Sequence, residues 1–416
     1  TLAIKQLKLK NLHLYPDDIA IKGQVKMNLT NTNPAKLNGS IAIDEAAVTQ
    51  DGKPIPLDDI KILAQNNNER NAFSIQAPFL KAQMFGQFNY VQLADIIISD
   101  INRHFRIPNQ NPKLITEPYD ITIKAKAIGH PAIKAFVPAL TRLDSTTFNA
   151  TLSNEAGHTM QMDLKIPFVE YDTIRVQQIA FGMRSDSSKI TYQTSLEKLS
   201  FNAFQMLKTK LDGEVNDDIA KFNLVLLDSL QKEHHRVAGQ VANFSDQFRI
   251  NLLPDGLKLN YEPWKVAENG FLQYGEAGLI VSNFSLQNQE QLLQIHTPEM
   301  TPNAPLEILV QKLDLHKMIK LVYPDSTIAD GTIDGKIILA NYMKSPSFTG
   351  DVTVQGFTFQ NTPIGDLVAH VYNETPEKIS VNTTLKNDQN DIALIGNYIL
   401  GDKKPLNFSL NINKLS

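Results

Sequence analysis

Across Lys378–Lys386, Ile379, Val381, Thr383 and Leu385 alternate with Lys378, Ser380, Asn382, Thr384 and Lys386. Side chains repeat with a period of two only in an extended strand, so this stretch predicts a sheet with one apolar and one polar face. Leu367, Ala369 and Val371 continue the pattern one strand earlier. The surrounding region, 331–398, opens on Gly331-Thr-Ile-Asp-Gly335, turns at Pro346, passes Gly350 and closes on Ile395-Gly396-Asn-Tyr398.

The same frame recurs near the start of the chain, with Gly23, a turn at Pro34, Gly39 and Phe85-Gly86-Gln-Phe-Asn-Tyr90. Sixteen residues separate Gly23 from Gly39 and 15 separate Gly335 from Gly350; 47 separate Gly39 from Gly86 and 46 separate Gly350 from Gly396. Two strand-rich regions in one spacing point to a long repeating sheet rather than a closed globule. The expected fold is mostly β: an elongated antiparallel meander forming a curved open trough, of roughly twenty strands, with a few short amphipathic helices. Residues 1–416 form one continuous segment in this reading. Its sub-units are 1–90 (first repeat), 91–236 (helix-interrupted), 237–310 (around the single tryptophan) and 311–416 (last repeat).

Helical spacing appears in four places. Leu93, Ile97, Ile101 and Phe105 recur every four residues before Pro108. Pro131 opens a second stretch, to Leu143, which Pro138 should kink. A short helical piece is expected near Phe201 to Lys208. A last one is expected over Leu315–Val322, with Asp314 placed to cap it.

Composition narrows the function. The formal charge is −4 and Lys and Arg are scattered, so no basic patch marks a nucleic-acid groove. The absence of cysteine excludes disulfides, thiolate catalysis and cysteine-held metal. No apolar run is long enough to span a bilayer. Alternating strands at both ends would leave open edges, which reads as an excerpt from a longer chain.

No HExxH, GxSxG, phosphate-binding loop or GxGxxG occurs. Asp100 and His104 fall one helical turn apart and read as a solvated pair, because two ligands do not close a metal site. His234-His235 reads as a charged surface turn whose neighbouring side chains point to opposite faces. Asp58-Asp59 and Asp217-Asp218 read as turn residues or helix caps, not as acid/base dyads. Asn387 to Asp391 offers calcium-like oxygens without the glycine and glutamate of a calcium loop, so it reads as a hairpin turn. Trp264 is either a lipid or partner anchor or a buried plug in the sheet. The chain is therefore expected to be no enzyme and to need no cofactor or metal.

Several passages resemble the TamB and AsmA-like proteins of Gram-negative envelopes, the bridge-like lipid-transfer class. They are Asp330-Gly-Thr-Ile-Asp-Gly335-Lys-Ile-Ile-Leu339, Phe348-Thr-Gly350-Asp-Val-Thr-Val354, Pro363-Ile-Gly365-Asp-Leu367, the stretch 261–286 with Trp264 and Asn283-Phe284, and Ile395-Gly396-Asn-Tyr398. The inner-membrane anchor helix of that family and its terminal domain, which meets an outer-membrane β-barrel partner, have no counterpart here. The resemblance implies a β-taco crossing the periplasm, in a full-length chain anchored in the inner membrane. It implies phospholipid acyl chains as partners during transport between the two membranes, and contact with a β-barrel assembly-type protein through regions outside this segment. About thirty buried methylenes at roughly 0.8 kcal/mol each give an apolar rail a gain on the order of 20 kcal/mol over water.

On this reading Ile337, Val352, Val354, Val381, Leu385, Leu394, Phe408 and Leu410 line the lipid groove in the last repeat. Val25, Met27, Ile41, Phe73, Ile75 and Ala77 are the matching set in the first. The alternatives are a scaffold assisting outer-membrane protein assembly and a passive β-solenoid spacer. A β-helix enzyme such as a polysaccharide lyase would show a ladder of Asp, Arg or Lys at fixed period, and none is present.

Overall fold

A computed structural model describes residues 2–10, 19–50, 52–67, 70–108, 110–202, 204–244, 247–322, 328–388, 390–401 and 405–414. Asp51, Asn68, Glu69, Pro324 and Asp325, in turns that the sequence predicts, and Gln389, within the turn read at Asn387 to Asp391, lie outside the described residues. Strands make up 69% of the structure and helices 8%, so the helices have too little surface to cover the sheet. The strands pair antiparallel in an open sheet, and among the described residues the first strand (Leu2–Lys8) and the last (Leu406–Lys414) have one partner each.

The chain divides into two units, residues 1–220 with 226–231, and residues 221–225 with 232–416. The first contains β1 (Leu2–Lys8), β2 (Ile19–Asn31), β3 (Asn38–Gln50), β4 (Lys53–Asn67), β5 (Arg70–Ala77) and β6 (Leu80–Gln87). After α1 (Leu93–Asn102) come β7 (Asp120–Ala127), α2 (Pro131–Phe136), β8 (Leu140–Leu143) and β9 (Thr146–Ser153). The meander then continues as β10 (Thr159–Tyr171), β11 (Ile174–Ser185), β12 (Ile190–Phe201) and β13 (Phe204–Asn216). Successive strands pair in chain order, except that β8 and β9 lie end to end along β10.

β14 (Ile219–Leu227) is divided between the units. The second unit holds β15 (Glu233–Phe244), β16 (Gln247–Leu259), β17 (Glu262–Val266), β18 (Phe271–Gly275), β19 (Gly278–Ser282), β20 (Phe284–Asn288) and β21 (Gln291–His296). β22 (Leu306–Asp314), α3 (Leu315–Val322), β23 (Ala329–Ala340) and β24 (Ser347–Phe359) follow. The last strands are β25 (Thr362–Thr375), β26 (Lys378–Lys386), β27 (Asp391–Ile399) and β28 (Leu406–Lys414). β17 pairs with β20 and β18 with β19, so 262–275 and 278–288 act as two long strands, each interrupted once.

The strand count among the described residues is 28 rather than twenty, because many hairpins turn on two residues without glycine. Asn260-Tyr261 and Gln360-Asn361 adopt positive φ at both positions, joining Leu259 to Glu262 and Phe359 to Thr362. Two expected helices are corrected. α2 stops at Phe136, because a residue preceding proline is barred from the helical region; Val137 has φ −132 and ψ 78. Residues 140–143 then pair with β10. Where a helical piece is expected near 201–208, Phe201 ends β12 and Phe204 opens β13, since the β12–β13 ladder runs from Phe201↔Phe204 to Ile190↔Val215 and overrides the local spacing. α3 matches its expected span, and Asp314 Oδ1 accepts the Lys317 N–H at 2.9 Å as its cap.

The two glycine frames fall on the same strands of their meanders: Gly23, Gly39 and Gly86 on β2, β3 and β6, and Gly335, Gly350 and Gly396 on β23, β24 and β27. Gly86 is at φ +141, and a Cβ there would lie 1.7 Å from the Asp120 carbonyl oxygen of the neighbouring strand. Gly86→Ala is expected to destabilise the first unit by about 2–3 kcal/mol in urea unfolding. Gly52→Ala, in open space at a turn, should cost only about 1 kcal/mol.

Candidate functional site

Directly paired residues of an antiparallel ladder share a face, so the registers sort every strand residue onto one side or the other. In the second unit one row runs Ile308, Ile337, Gly350, Val371, Val381, Gly396, Phe408. The next runs Val310, Gly335, Val352, Ala369, Thr383, Leu394, Leu410, and a third Ile333, Val354, Leu367, Leu385, Ile392, Ile412. The eight positions singled out in this half therefore lie on one apolar face of six adjacent strands.

The first unit is built alike. Met27, Ile41, Ile62, Ile75, Ala82, Ala125, Phe148, Leu164 and Phe181 form one row. Ala64, Phe73, Met84, Ile123, Ala150, Met162 and Met183 form the next. Val25 pairs with Ile43 and Ala77 with Leu80, which puts all six positions of the first set on this face.

The opposite faces are mainly polar, with single apolar side chains such as Phe85, Val368 and Ile395 among them. Lys124, Asn149, Asp163, Gly182, Gln193 and Asp212 form a row in the first unit. In the second, Lys336, Asp351, His370 and Asn382 do so, with Lys336 Nζ 2.7 Å from Glu307 and His370 Nδ1 2.8 Å from Asp351. An open polar cleft of about 620 Å³ contains Lys312 and Glu290, paired at 2.7 Å. Such exposed pairs contribute solubility more than stability.

Exposure along the apolar faces is uneven. Met27 is 57% exposed, Leu410 56% and Leu406 64%, whereas Val354 is buried at 7% by its neighbours. Helices cover only part of each face. α1 packs Ile96 against Ile121, Ala150, Leu152 and Met160, and α2 packs Ala132 and Ala135 against Val48 and Leu57. α3 sets Met318 against a cluster of Leu257, Trp264, Val266 and Leu313. Trp264 is thus a buried plug, 4% exposed, and not a surface anchor.

Three polar readings change. Asp100 and His104 are not solvated: they are 2% and 4% exposed, because the inner side of α1 and the turn that follows it face the sheet. Ser185 Oγ donates to Asp100 Oδ2 at 2.7 Å. Asp58-Asp59 sits inside β4, where Asp58 at φ +53 forms part of a bulge opposite Ala46, so it is neither a turn nor a cap. Asp217-Asp218 is the expected turn, both residues at positive φ. Asn387 and Asn390 close the turn before β27, the Asn387 N–H donating to the Asn390 carbonyl at 2.9 Å.

His234-His235 belongs to β15, with ring centroids 3.9 Å apart rather than on opposite faces. Both rings gather on the Asn260-Tyr261 turn: His234 stacks on Tyr261 at 4.6 Å, and His235 Nδ1 accepts the Asn260 N–H at 3.3 Å. Burial first, and the neighbouring His234 charge second, push the His235 pKa down to about 4. Among the described residues no group of three or more His, Asp or Glu is placed to hold a metal.

No protein-family model, characterised protein or solved structure matches this chain.

A depressed histidine pKa means that the fold favours neutral imidazole. That contribution is complete above about pH 6.5 and is lost as pH falls towards 4. The urea midpoint of the second unit, followed by Trp264 fluorescence, should fall between pH 7 and pH 4. In His235→Asn, which keeps an acceptor for the Asn260 N–H, that fall should be shallower.

Proposed function

We propose that the apolar sheet faces shield lipid acyl chains, as a segment of a periplasmic conduit carrying phospholipid between inner and outer membranes. The observation that carries this reading is the run of apolar cross-strand rows in each unit, over which helices lie only in places. A soluble sheet ordinarily buries such a face against a second layer. A contiguous exposed apolar surface with a polar reverse instead suits an apolar guest. The resemblance to TamB and AsmA-like proteins supports the same reading, and an open sheet is what a β-taco requires. The role is non-catalytic: each methylene that leaves water for the face gains roughly 0.8 kcal/mol, and no bond changes.

Edge geometry favours one other reading. Among the described residues β28 is exposed at every position and pairs with β27 alone, and an extended peptide added to such an edge is what a scaffold for outer-membrane protein assembly would need. Lipid and extended peptide separate the two readings, because only the first needs the face and only the second needs the edge.

Leu385 and Thr384 are neighbours in β26 that point to opposite faces. Leu385→Glu should reduce phospholipid retained by the purified protein, read by native mass spectrometry, by at least about tenfold, since a charge against an acyl chain is costly. Thr384→Glu should leave retention unchanged and both variants should keep the β circular-dichroism signature. Equal lipid content in the two variants would remove the apolar face from the transport role. Val354 is a poorer position for this test, because its burial makes Val354→Glu a folding defect.

A further inference from the structure

The two helices that lie on the apolar faces at α1 and α3 are docked in chemically different ways. Beneath α3 the floor is Trp264, Val266, Leu257 and Leu313, stiff or bulky side chains fixed by packing. Beneath α1 it holds Met84, Met160, Met162 and Met183, four of the nine methionines of the chain, together with the buried Ile121 and Leu152. All six side chains belong to adjacent rows of one face. Methionine is unbranched and polarisable, and surfaces rich in it repack around different guests.

The docked side of α1 is also imperfectly satisfied. Asp100 Oδ1 and His104 Nε2 are buried without a hydrogen-bond partner among the described residues, and the Arg103 guanidinium stands 3.8 Å from Asp100. Buried polar groups left half-paired oppose docking, so α1 is held less firmly than its apolar contacts alone would hold it. Its far end is tied down by polar contacts instead. The Asp218 N–H donates to the His104 carbonyl at 2.9 Å, and the Arg106 backbone N–H and Nε each donate to the Asp218 carboxylate at 2.8 Å.

We propose that the methionine-lined floor beneath α1 is an acyl-chain subsite, and that α1 is a displaceable plug that occupies it until a chain of lipid arrives. The Asp218 contacts are the latch of that plug, while α3 is a permanent cover. The proposal rests on the conduit reading, and it adds where in the first unit an acyl chain binds and what it must displace.

The probe is parinaric acid, a fluorescent C18 fatty acid, with amide hydrogen exchange read on the whole chain. On loading, exchange over residues 93–102 should rise at least about fivefold while residues 315–322 stay unchanged. Two variants should move affinity in opposite directions. Asp218→Gly keeps the positive φ of the turn and the backbone N–H donated to His104, but removes the carboxylate contacts of the latch; it should speed α1 exchange without lipid and tighten parinaric acid binding about fivefold, because the open state is more populated. Asp100→Leu with Ser185→Ala replaces both buried polar partners by apolar groups, and should slow α1 exchange and weaken binding by a similar factor. Binding with α1 exchange unchanged would overturn the subsite and leave the conduit reading standing. Absence of binding in every variant would overturn both, and unchanged exchange in lipid-free Asp218→Gly would overturn the latch.

Discussion

Antiparallel pairing between consecutive strands is the constraint on which the rest of the structure depends. Once one hairpin register is set, each cross-strand pair fixes the face of its partner, and the assignment passes from strand to strand. An added residue would send a strand's apolar set to the wrong side. The structure meets this with bulges: in β3 the ladder shifts between Ile43 and Ala46, where Glu45 takes φ +52. Ile43 and Val48, of opposite sequence parity, thereby reach the same core cluster. The bulge therefore preserves the two-faced character of the sheet where simple alternation would lose it.

That two-faced character decides what the helices are for. They are too few to form a second layer, and each settles on the apolar side where a connection between strands allows it. Each covering has its own chemistry. α2 brings alanines that allow close approach, α3 closes over a tryptophan, and α1 with the turn after it lays a carboxylate and an imidazole onto a floor rich in methionine. On the polar side, cross-strand pairs such as Lys336 with Glu307 keep a wide sheet hydrated.

Much of this was legible because the strand signal is local. The alternation in Lys378–Lys386 assigns the face of each side chain without knowledge of what lies beside it, and the ladders with β25 and β27 agree with it residue by residue. The ladders likewise place the fourteen positions named from the sequence on the apolar rows of their own units. What escaped was set by non-local contacts or by turns without glycine. The stretch 201–208 has helical spacing, yet a long ladder outweighs the propensity of a few residues. Asp100 and His104 looked solvated because helical spacing shows that they share a side of α1, but not which side meets the sheet.

By itself, then, the sequence determined a mostly β chain with alternating apolar and polar faces, the helices at α1 and α3, and the spacing of the two glycine frames. Tertiary structure alone decided which parts of that face are covered, which polar groups go under with the cover, and how the histidine pair stacks. The physical reason is range: side-chain alternation is written within a single strand, whereas burial depends on which distant segment lands on it.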